Sequence, residues 1–514
     1  MASATPIDLA KIFVAEPAPE TWLVILPVVL CITMGAALAA IRRRIHLHAP
    51  LAIITLALLA VIDAALLYQV STDGPMTMVM GRWLPPFGIA FTVDVLGALL
   101  ALTAALVALA GAVFALTDID NNRRRYGFYP FLLFLMAGVS GAFLTGDLFN
   151  LYVWFEVLLI SSFGLIVLGG EREQIDGAMK YGLLNLVATT LFLIAVAYVY
   201  AISGTLNMAD IASKVARQTS ALPLMTLATL FLAAFGMKAA AFPVNFWLPA
   251  SYHTPRVTVS ALFAGLLTKV GVYAMFRVLV MLMPGALETL APTIGTVAIL
   301  TMLTGSLGAI AQSDLRRALG YWVIAGIGVM LSGLAIGGVQ ALGASVFYML
   351  HSMVVMMALY FLAGLMAIRS GGFDLKSAGG LWSSSPLLSA TGLCLILSVA
   401  GLPPFSGFWP KAMLVSAALE GSHWWLAAAI LLSGFLITFA GGRIFLLAFW
   451  RATSTETKPA RLPAASLAAL TVLTAVSIGA GLWPEPFALL AKSAAHGLHD
   501  PETYIRSVFP EPRP

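Results

Sequence analysis

The sequence predicts an all-α polytopic membrane protein of about fourteen transmembrane helices. Three observations carry that prediction. The 514 residues are 60% hydrophobic and 10% charged, where a soluble domain carries about 25% charged residues. The mean hydropathy is +0.96. Apolar runs of bilayer-spanning length recur along the whole chain, without the alternating ~10-residue segments of a transmembrane β-barrel.

Taken in order, the apolar segments run roughly 22–41, 50–70, 88–116, 129–147, 149–169, 180–203, 222–248, 257–283, 292–311, 319–338, 342–368, 385–419, 423–450 and 463–483. The first is full length, is preceded by Asp8, Glu16 and Glu20 against Lys11, and ends in Arg42, Arg43 and Arg44. That order predicts a retained helix with the N-terminus outside rather than a cleaved signal. Positive charge tests the count. Loops after odd-numbered segments hold 16 Lys and Arg, among them Arg123 to Arg125, Arg172, Arg256, Arg316, Arg317 and Lys458; the other loops and both tails hold 7, among them Arg82, Lys214, Arg217 and Arg513. Positive residues favour the cytoplasmic side, so the asymmetry predicts fourteen crossings with both termini outside.

Several function classes fall away. The longest polar connections, such as "GGFDLKSAGGLWSSS" (371–385), are too short to fold alone, and there is no nucleotide loop, CxxC, HExxH or nucleophile elbow. This argues against a self-contained enzyme or an ATP-driven pump, and no cofactor is expected. The pI of about 9.2 reflects loop arginines, a topology feature and not a nucleic-acid one. Cys31 and Cys394 sit in apolar segments as packing residues, and the "HGLH" pair His496 and His499 is too little for a metal site.

Segments seven and twelve look alike. One reads "KAAAFPVNFWLP" and the other "GLPPFSGFWPKAML". Each is an over-long run broken by proline (Pro243; Pro403, Pro404 and Pro410), with a Phe-Trp element and a lysine close by. Corresponding broken helices point to internal repeats and to a transport site, because irregular backbone at membrane depth must face protein or a wet cavity.

Five basic residues remain inside apolar segments: Lys238, Lys269, Arg277, Lys411 and Arg443. The matching acids are Asp63, Asp94, Asp147 and Glu156. A charge at the bilayer centre costs about 2.5–3.5 kcal/mol, so three lysines and a glutamate left alone would cost on the order of 10 kcal/mol, comparable to a fold's whole stability. Lysine can release its proton and arginine cannot. Three central lysines and Glu156 therefore point to proton transfer, with a static neutralising partner as the bland alternative for Glu156. His351 is a relay or a hydrogen-bonded core residue, and His253, after the broken seventh segment, is a gate or a surface residue. Asp94 and Asp63 could be packing groups, Asp147 a helix cap, and Arg277 and Arg443 snorkelling side chains.

At these residues the chain resembles a known family. "GDLFNLYVWFEVLLISSFGLIVLGG", "FGMKAAAFPVNFWLPASYHTPRVTVSALFAGLLTKVGVYAMFR", "AQSDLRRALGYWVIAGIGVM" and "GLPPFSGFWPKAML" together resemble the antiporter-like subunits shared by respiratory complex I and Mrp-type cation/proton antiporters. The match spans roughly residues 90–450 and looks most like the D-type subunits of Mrp (Mnh/Pha) antiporters. The resemblance implies fourteen helices: N-terminal helices in 1–128, inverted five-helix repeats in 129–283 (helices 4–8) and 284–450 (helices 9–13), and a last helix and tail in 451–514. It implies that Glu156 pairs with Lys238, that Lys269 and His351 continue a central axis, and that Lys411 ends it; Asp147, His253 and Asp94 are auxiliary candidates. It implies an ion-coupled subunit of the bacterial plasma (inner) membrane, working in the lipid bilayer with A-, B-, C-, E-, F- and G-type partners. The expected function is Na+ (or K+)/H+ exchange driven by the proton motive force. A proton-pumping subunit of a complex I-type oxidoreductase or membrane hydrogenase is the alternative, and a stand-alone transporter a third. One position departs from the family: many relatives carry a lysine five residues after the histidine, and here Met356 stands there. The "HSMVVMMALY" form resembles the Pha-type branch, which points to potassium.

Overall fold

The computed structural model describes residues 17–215, 221–452 and 461–509. Asp8, Lys11, Glu16, Arg217, Lys458 and Arg513, which entered the charge reading, lie outside them. Among the described residues, 10 helices are long and apolar enough to cross a membrane, and shorter apolar helices stand at 26–40, 128–144, 223–239 and 386–400. Together they make the predicted fourteen.

In chain order these are α1 (Leu26–Ala40), α2 (Ile45–Thr72), α3 (Val95–Asp118), α4 (Phe128–Leu144), α5 (Leu148–Val167), α6 (Arg172–Ser203) and α7 (Ala221–Ala239). There follow α8 (Val257–Leu282), α9 (Pro284–Ala311), α10 (Leu315–Ile336), α11 (Gly338–Ser370), α12 (Pro386–Ala400, resuming at Phe408–Glu420), α13 (Trp424–Trp450) and α14 (Ala464–Leu482). Caps set several starts. Asp94, Asp147 and Asp314 each accept the backbone N–H three residues on, and α9 begins at Pro284, where a missing N–H costs nothing.

Three boundaries differ from the sequence reading. Residues ahead of α3 form an antiparallel hairpin, β1 (Met76–Val79) against β2 (Ala90–Val93), with Met76 opposite Val93. Helices α6 and α9 start eight residues earlier than their apolar runs, α6 with the charged turns that hold Arg172, Glu173 and Asp176 and α9 with a stretch interrupted by Glu288. The tail folds into two further helices, α15 (Glu485–His499) and α16 (Glu502–Val508).

The loops sort onto two faces. On one, Arg123 reaches Glu171 at 2.6 Å, Arg256 lies 3.7 Å from Asp120, and Arg317 contacts His253 at 3.0 Å. There Leu315 N–H donates to Phe373 O and Gly380 N–H to Arg451 O. These are the loops after α3, α5, α7, α9, α11 and α13. On the other, Gly146 N–H donates to Ala90 O, Leu148 N–H to Leu206 O, and Thr77 meets Ser507 at 3.0 Å. This alternation is what an uninterrupted count of crossings requires.

Two devices recur. Isolated antiparallel bridges join Asp147 to Asn207 and Asp314 to Asp374, the same step along the chain, on opposite faces. The ends of α7 and of the first half of α12 also match: Ala240 (φ 61) and Gly401 (φ 87) take left-handed backbone, each three residues before a proline with a cis peptide bond, Pro243 and Pro404.

Candidate proton path

Helix α7 ends at Ala239, one residue after Lys238, and the chain runs irregularly to a short helix at Trp247–Tyr252. Proline at 243 cannot donate to a helix ladder, and side chains of α9 and of the broken segment itself tie the irregular stretch down. Phe242 N–H donates to Thr301 Oγ1 at 3.0 Å, Asn245 Nδ2 to Thr304 Oγ1 at 2.8 Å, and the Trp247 indole N–H to Met237 O at 3.1 Å. So α9 holds the break open. Lys238 is 6% exposed; its ammonium donates to Thr189 Oγ1 at 2.8 Å and lies 4.8 Å from the Phe155 ring centre. Glu156, one residue along α5, is within Coulombic reach, yet the two make no ion pair at hydrogen-bond length, and Glu156 Oε1 is buried without a hydrogen-bond partner. The direct contact of the ammonium is thus a threonine hydroxyl, with Glu156 at longer range. A cavity of about 20 Å³ beside Lys238, lined also by Tyr181, Asn185 and Trp247, is large enough for a single water.

Lys269 sits at a second break, one that no proline marks. Helix α8 is interrupted at Leu266, between Val257–Gly265 and Leu267–Met275. The ammonium is fully buried and donates to Ala264 O, near the end of the first piece. Gly271, two residues on, packs on Ala239, where an added Cβ would stand 3.0 Å from its nitrogen, so α8 lies directly against the end of α7.

Lys411 occupies the third. Its ammonium donates to Val399 O at 3.0 Å and Ala400 O at 2.9 Å, the last carbonyls of the first half of α12. Carbonyls at a helix C-terminus have no intrahelical partner and carry the negative end of the macrodipole. A lysine is therefore held there without a carboxylate. Between Lys269 and Lys411 lies His351 on α11, 5% exposed, within Coulombic reach of both, with Nδ1 2.8 Å from Ser406 Oγ. Met356 is buried one turn farther along, at 2% exposure.

Comparison with known proteins bears on this arrangement. The family model for the membrane domain of NADH:quinone oxidoreductase/Mrp antiporter proteins matches residues 145–438. The D-type subunit of an Na(+)/H(+) antiporter from Alkalihalophilus pseudofirmus is 39% identical over 496 residues, covering 95% of this chain and 99% of that protein. The chain belongs to the NADH:quinone oxidoreductase/Mrp antiporter family. Among solved structures, the Mrp complex from Dietzia sp. DQ12-45-1b holds a chain that superposes with TM-score 0.89 at 28% identity, over 96% of this chain and 100% of that one. The membrane-bound sulfane sulfur reductase, an archaeal respiratory membrane complex, holds one with TM-score 0.87 at 25% identity, over 94% and 99%.

The remaining candidates lie off the lysine line of this antiporter-family chain. Asp94 caps α3 and takes a two-pronged contact from Arg277, at 2.7 and 2.8 Å, with Arg277 1% exposed and flanked by Tyr273 and Tyr504. Arg277 therefore does not snorkel: it is locked inside by an acid far away in sequence. Arg443 on α13 donates to Ile310 O and Gln312 O at the end of α9. Asp147 caps α5 through Asn150 N–H at 2.8 Å. Asp63 is fully buried with neither oxygen hydrogen-bonded. Pro410 does not break α12; it stands in the first turn of Phe408–Glu420, where proline is tolerated. His253, in a loop, donates from Nδ1 to Pro249 O at 2.8 Å and accepts from Arg317 at Nε2, at 3.0 Å. Burial and the Arg317 guanidinium push its pKa below the usual value of 6.5. Sequence reasoning missed Thr189 and the Leu266 break. A threonine in an apolar helix is too common to single out, and nothing in "FAGLLTKV" marks a break.

Proposed function

We propose that this chain is the proton-translocating membrane subunit of a multisubunit Na+ (or K+)/H+ antiporter, driven by the proton motive force. It is a D-type subunit working beside A-, B-, C-, E-, F- and G-type partners in a bacterial plasma membrane. The supporting observation is that Lys238, Lys269 and Lys411 each sit at a helix break, bound by hydroxyl or carbonyl oxygens and not by a contacting carboxylate. Such a lysine can lose its proton without stranding a paired anion. Glu156, near but not bonded, supplies a negative charge whose distance changes how tightly Lys238 holds its proton. Protons pass from Glu156 and Lys238 to Lys269, then to His351 and Lys411. The recurring bridges and breaks are the remains of two inverted repeats, 129–283 and 284–450. The face gathering the arginine-rich loops is cytoplasmic, which leaves both termini outside.

The test is cation-dependent collapse of a pH gradient in everted vesicles bearing the chain with its neighbouring genes, in a host lacking antiporters. Adding Na+ or K+ separately names the ion. Collapse that Lys238→Ala and Glu156→Ala both abolish, with assembly intact, supports the proposal. An assembled wild-type complex that ignores both cations sinks it. The likeness to a respiratory membrane complex makes a redox-driven pump the second reading, and neighbouring genes for quinone and iron–sulfur subunits would favour it.

A further inference from the structure

One buried polar cluster touches the lysine line only at His351. Ser398 lies in the last turn of the first half of α12, Ser406 in the break, and Ser477 on α14. Their hydroxyl oxygens form a closed triangle, 2.8 Å between Ser406 and Ser477, 2.9 Å between Ser398 and Ser477, and 3.2 Å between Ser398 and Ser406. A fourth contact, 2.8 Å, joins Ser406 Oγ to His351 Nδ1. The three serines are 0%, 1% and 3% exposed.

Counting hydrogens settles how such a cluster can close. A serine hydroxyl has one hydrogen to donate and two lone pairs to accept. Three hydroxyl hydrogens fill three contacts and there are four. The missing hydrogen is Nδ1–H of the histidine. With Nδ1 donating, Ser406 accepts from His351 and from Ser398 and donates to Ser477, which donates to Ser398; every contact then holds one hydrogen. With Nδ1 bare, one of the four contacts brings two lone pairs together with no hydrogen between them, and an unmade hydrogen bond at a buried polar group is costly.

We infer that Ser398, Ser406 and Ser477 are positioning residues that hold His351 in its Nδ1–H tautomer, so that Nε2 alone takes up and releases the proton. Nε2 is buried and has no hydrogen-bond partner. Gly407 keeps the space beside it clear, since a Cβ there would stand 3.0 Å from Nε2. The same hydroxyl arrangement serves the neutral ring and the imidazolium, because Nδ1 donates to Ser406 in both. Protonation at Nε2 then needs no rotation of a hydroxyl, and preorganised polar groups of this kind lower the cost of charge transfer. The consequence for transport rests on the proton path proposed above; the tautomer does not.

The experiment separates the two. Nitrogen NMR on the purified complex with labelled histidine, the His351 signals assigned by difference against His351→Gln, reads which ring nitrogen carries the hydrogen. The expected result is Nδ1–H in the neutral ring. Ser477→Ala leaves two hydroxyls for two contacts, removes the need for Nδ1–H, and should bring in the Nε2–H form; Ser477→Thr should restore the wild-type spectrum. If Ser477→Ala does not assemble, Ser398→Ala removes the same hydroxyl count. A wild-type ring found mainly as Nε2–H, or a tautomer that either alanine variant leaves unchanged, overturns the inference. In vesicles, the assembled alanine variant should exchange roughly tenfold more slowly, about 1.4 kcal/mol in barrier, and the threonine variant normally. An Nδ1–H ring in a complex whose flux ignores His351→Gln supports the tautomer and sinks the relay through His351 instead.

Discussion

The Lys411 ammonium lies 2.9 Å from the carbonyl oxygen of Ala400, the last residue before α12 breaks. The break supplies the acceptor and the lysine fills it, so neither feature stands alone in the membrane. A helix that continued through residue 401 would turn that carbonyl back onto its own ladder, and Lys411 would have nothing to hold.

Gly401 is the residue that makes this possible. Its φ is 87°, and a Cβ there would stand 2.6 Å from Lys411 Cδ and 3.1 Å from Nζ. Left-handed backbone alone costs a non-glycine residue about 1–2 kcal/mol. Gly401→Ala should displace the ammonium and lower vesicle exchange at least ~10-fold, as far as Lys411→Ala does. Exchange at the wild-type rate in the assembled variant would show that the seat is not needed.

Thr189 is the partner that sequence reading missed. Thr189→Val keeps the shape and removes the hydroxyl from Lys238, leaving a buried donor unmet at a cost of about 1–3 kcal/mol. Exchange should fall by about tenfold or more, and Thr189→Ser should keep it. Equal rates for the serine and valine variants would mean that the hydroxyl plays no part.

The Asp94–Arg277 pair should be structural. Removing one partner of a buried pair costs about 3–5 kcal/mol, whereas replacing both by apolar residues is often neutral. Asp94→Ala should lower the yield and melting temperature of the complex, and Asp94→Leu with Arg277→Met should recover much of both. An Asp94→Ala complex that assembles normally but no longer transports would put Asp94 on the proton path.

His253 gives a pH dependence at the loop face. Its pKa is depressed by burial and by Arg317, so the folded state favours the neutral ring. Above the unfolded value near 6.5 both states are neutral and the His253 contacts keep their full contribution. As pH falls below that value the unfolded chain takes up the proton first, and stability drops until the lower folded pKa is passed. His253→Gln should reduce the fall in melting temperature between pH 8 and pH 5. The same fall in both proteins would assign the acid sensitivity elsewhere.

Much of the fold was legible. All fourteen crossings were readable, because every span must satisfy its own backbone and stay apolar for its full length. The hairpin ahead of α3 was not, since its four-residue strands add nothing to an apolar run. Nor were α15 and α16, whose polar faces hide them from hydropathy. Within the site, the residue types were readable and their partners were not. Arg277 looked like a snorkelling side chain because it stands near a helix end, and its acid lies 183 positions away.

By itself, then, the sequence determined a membrane-spanning α-helical chain with Lys238, Lys269 and Lys411 placed where a charge is expensive, and prolines at 243 and 404 where two helices must break. Tertiary structure alone decided what those charges meet: Thr189 from α6, Ala264 O at an unmarked break, the end of α12, and a serine of α14 that completes the ring around His351. Apolar periodicity tells a helix which of its faces is buried. It does not say which helix packs there, and a hydrogen bond between helices depends on both.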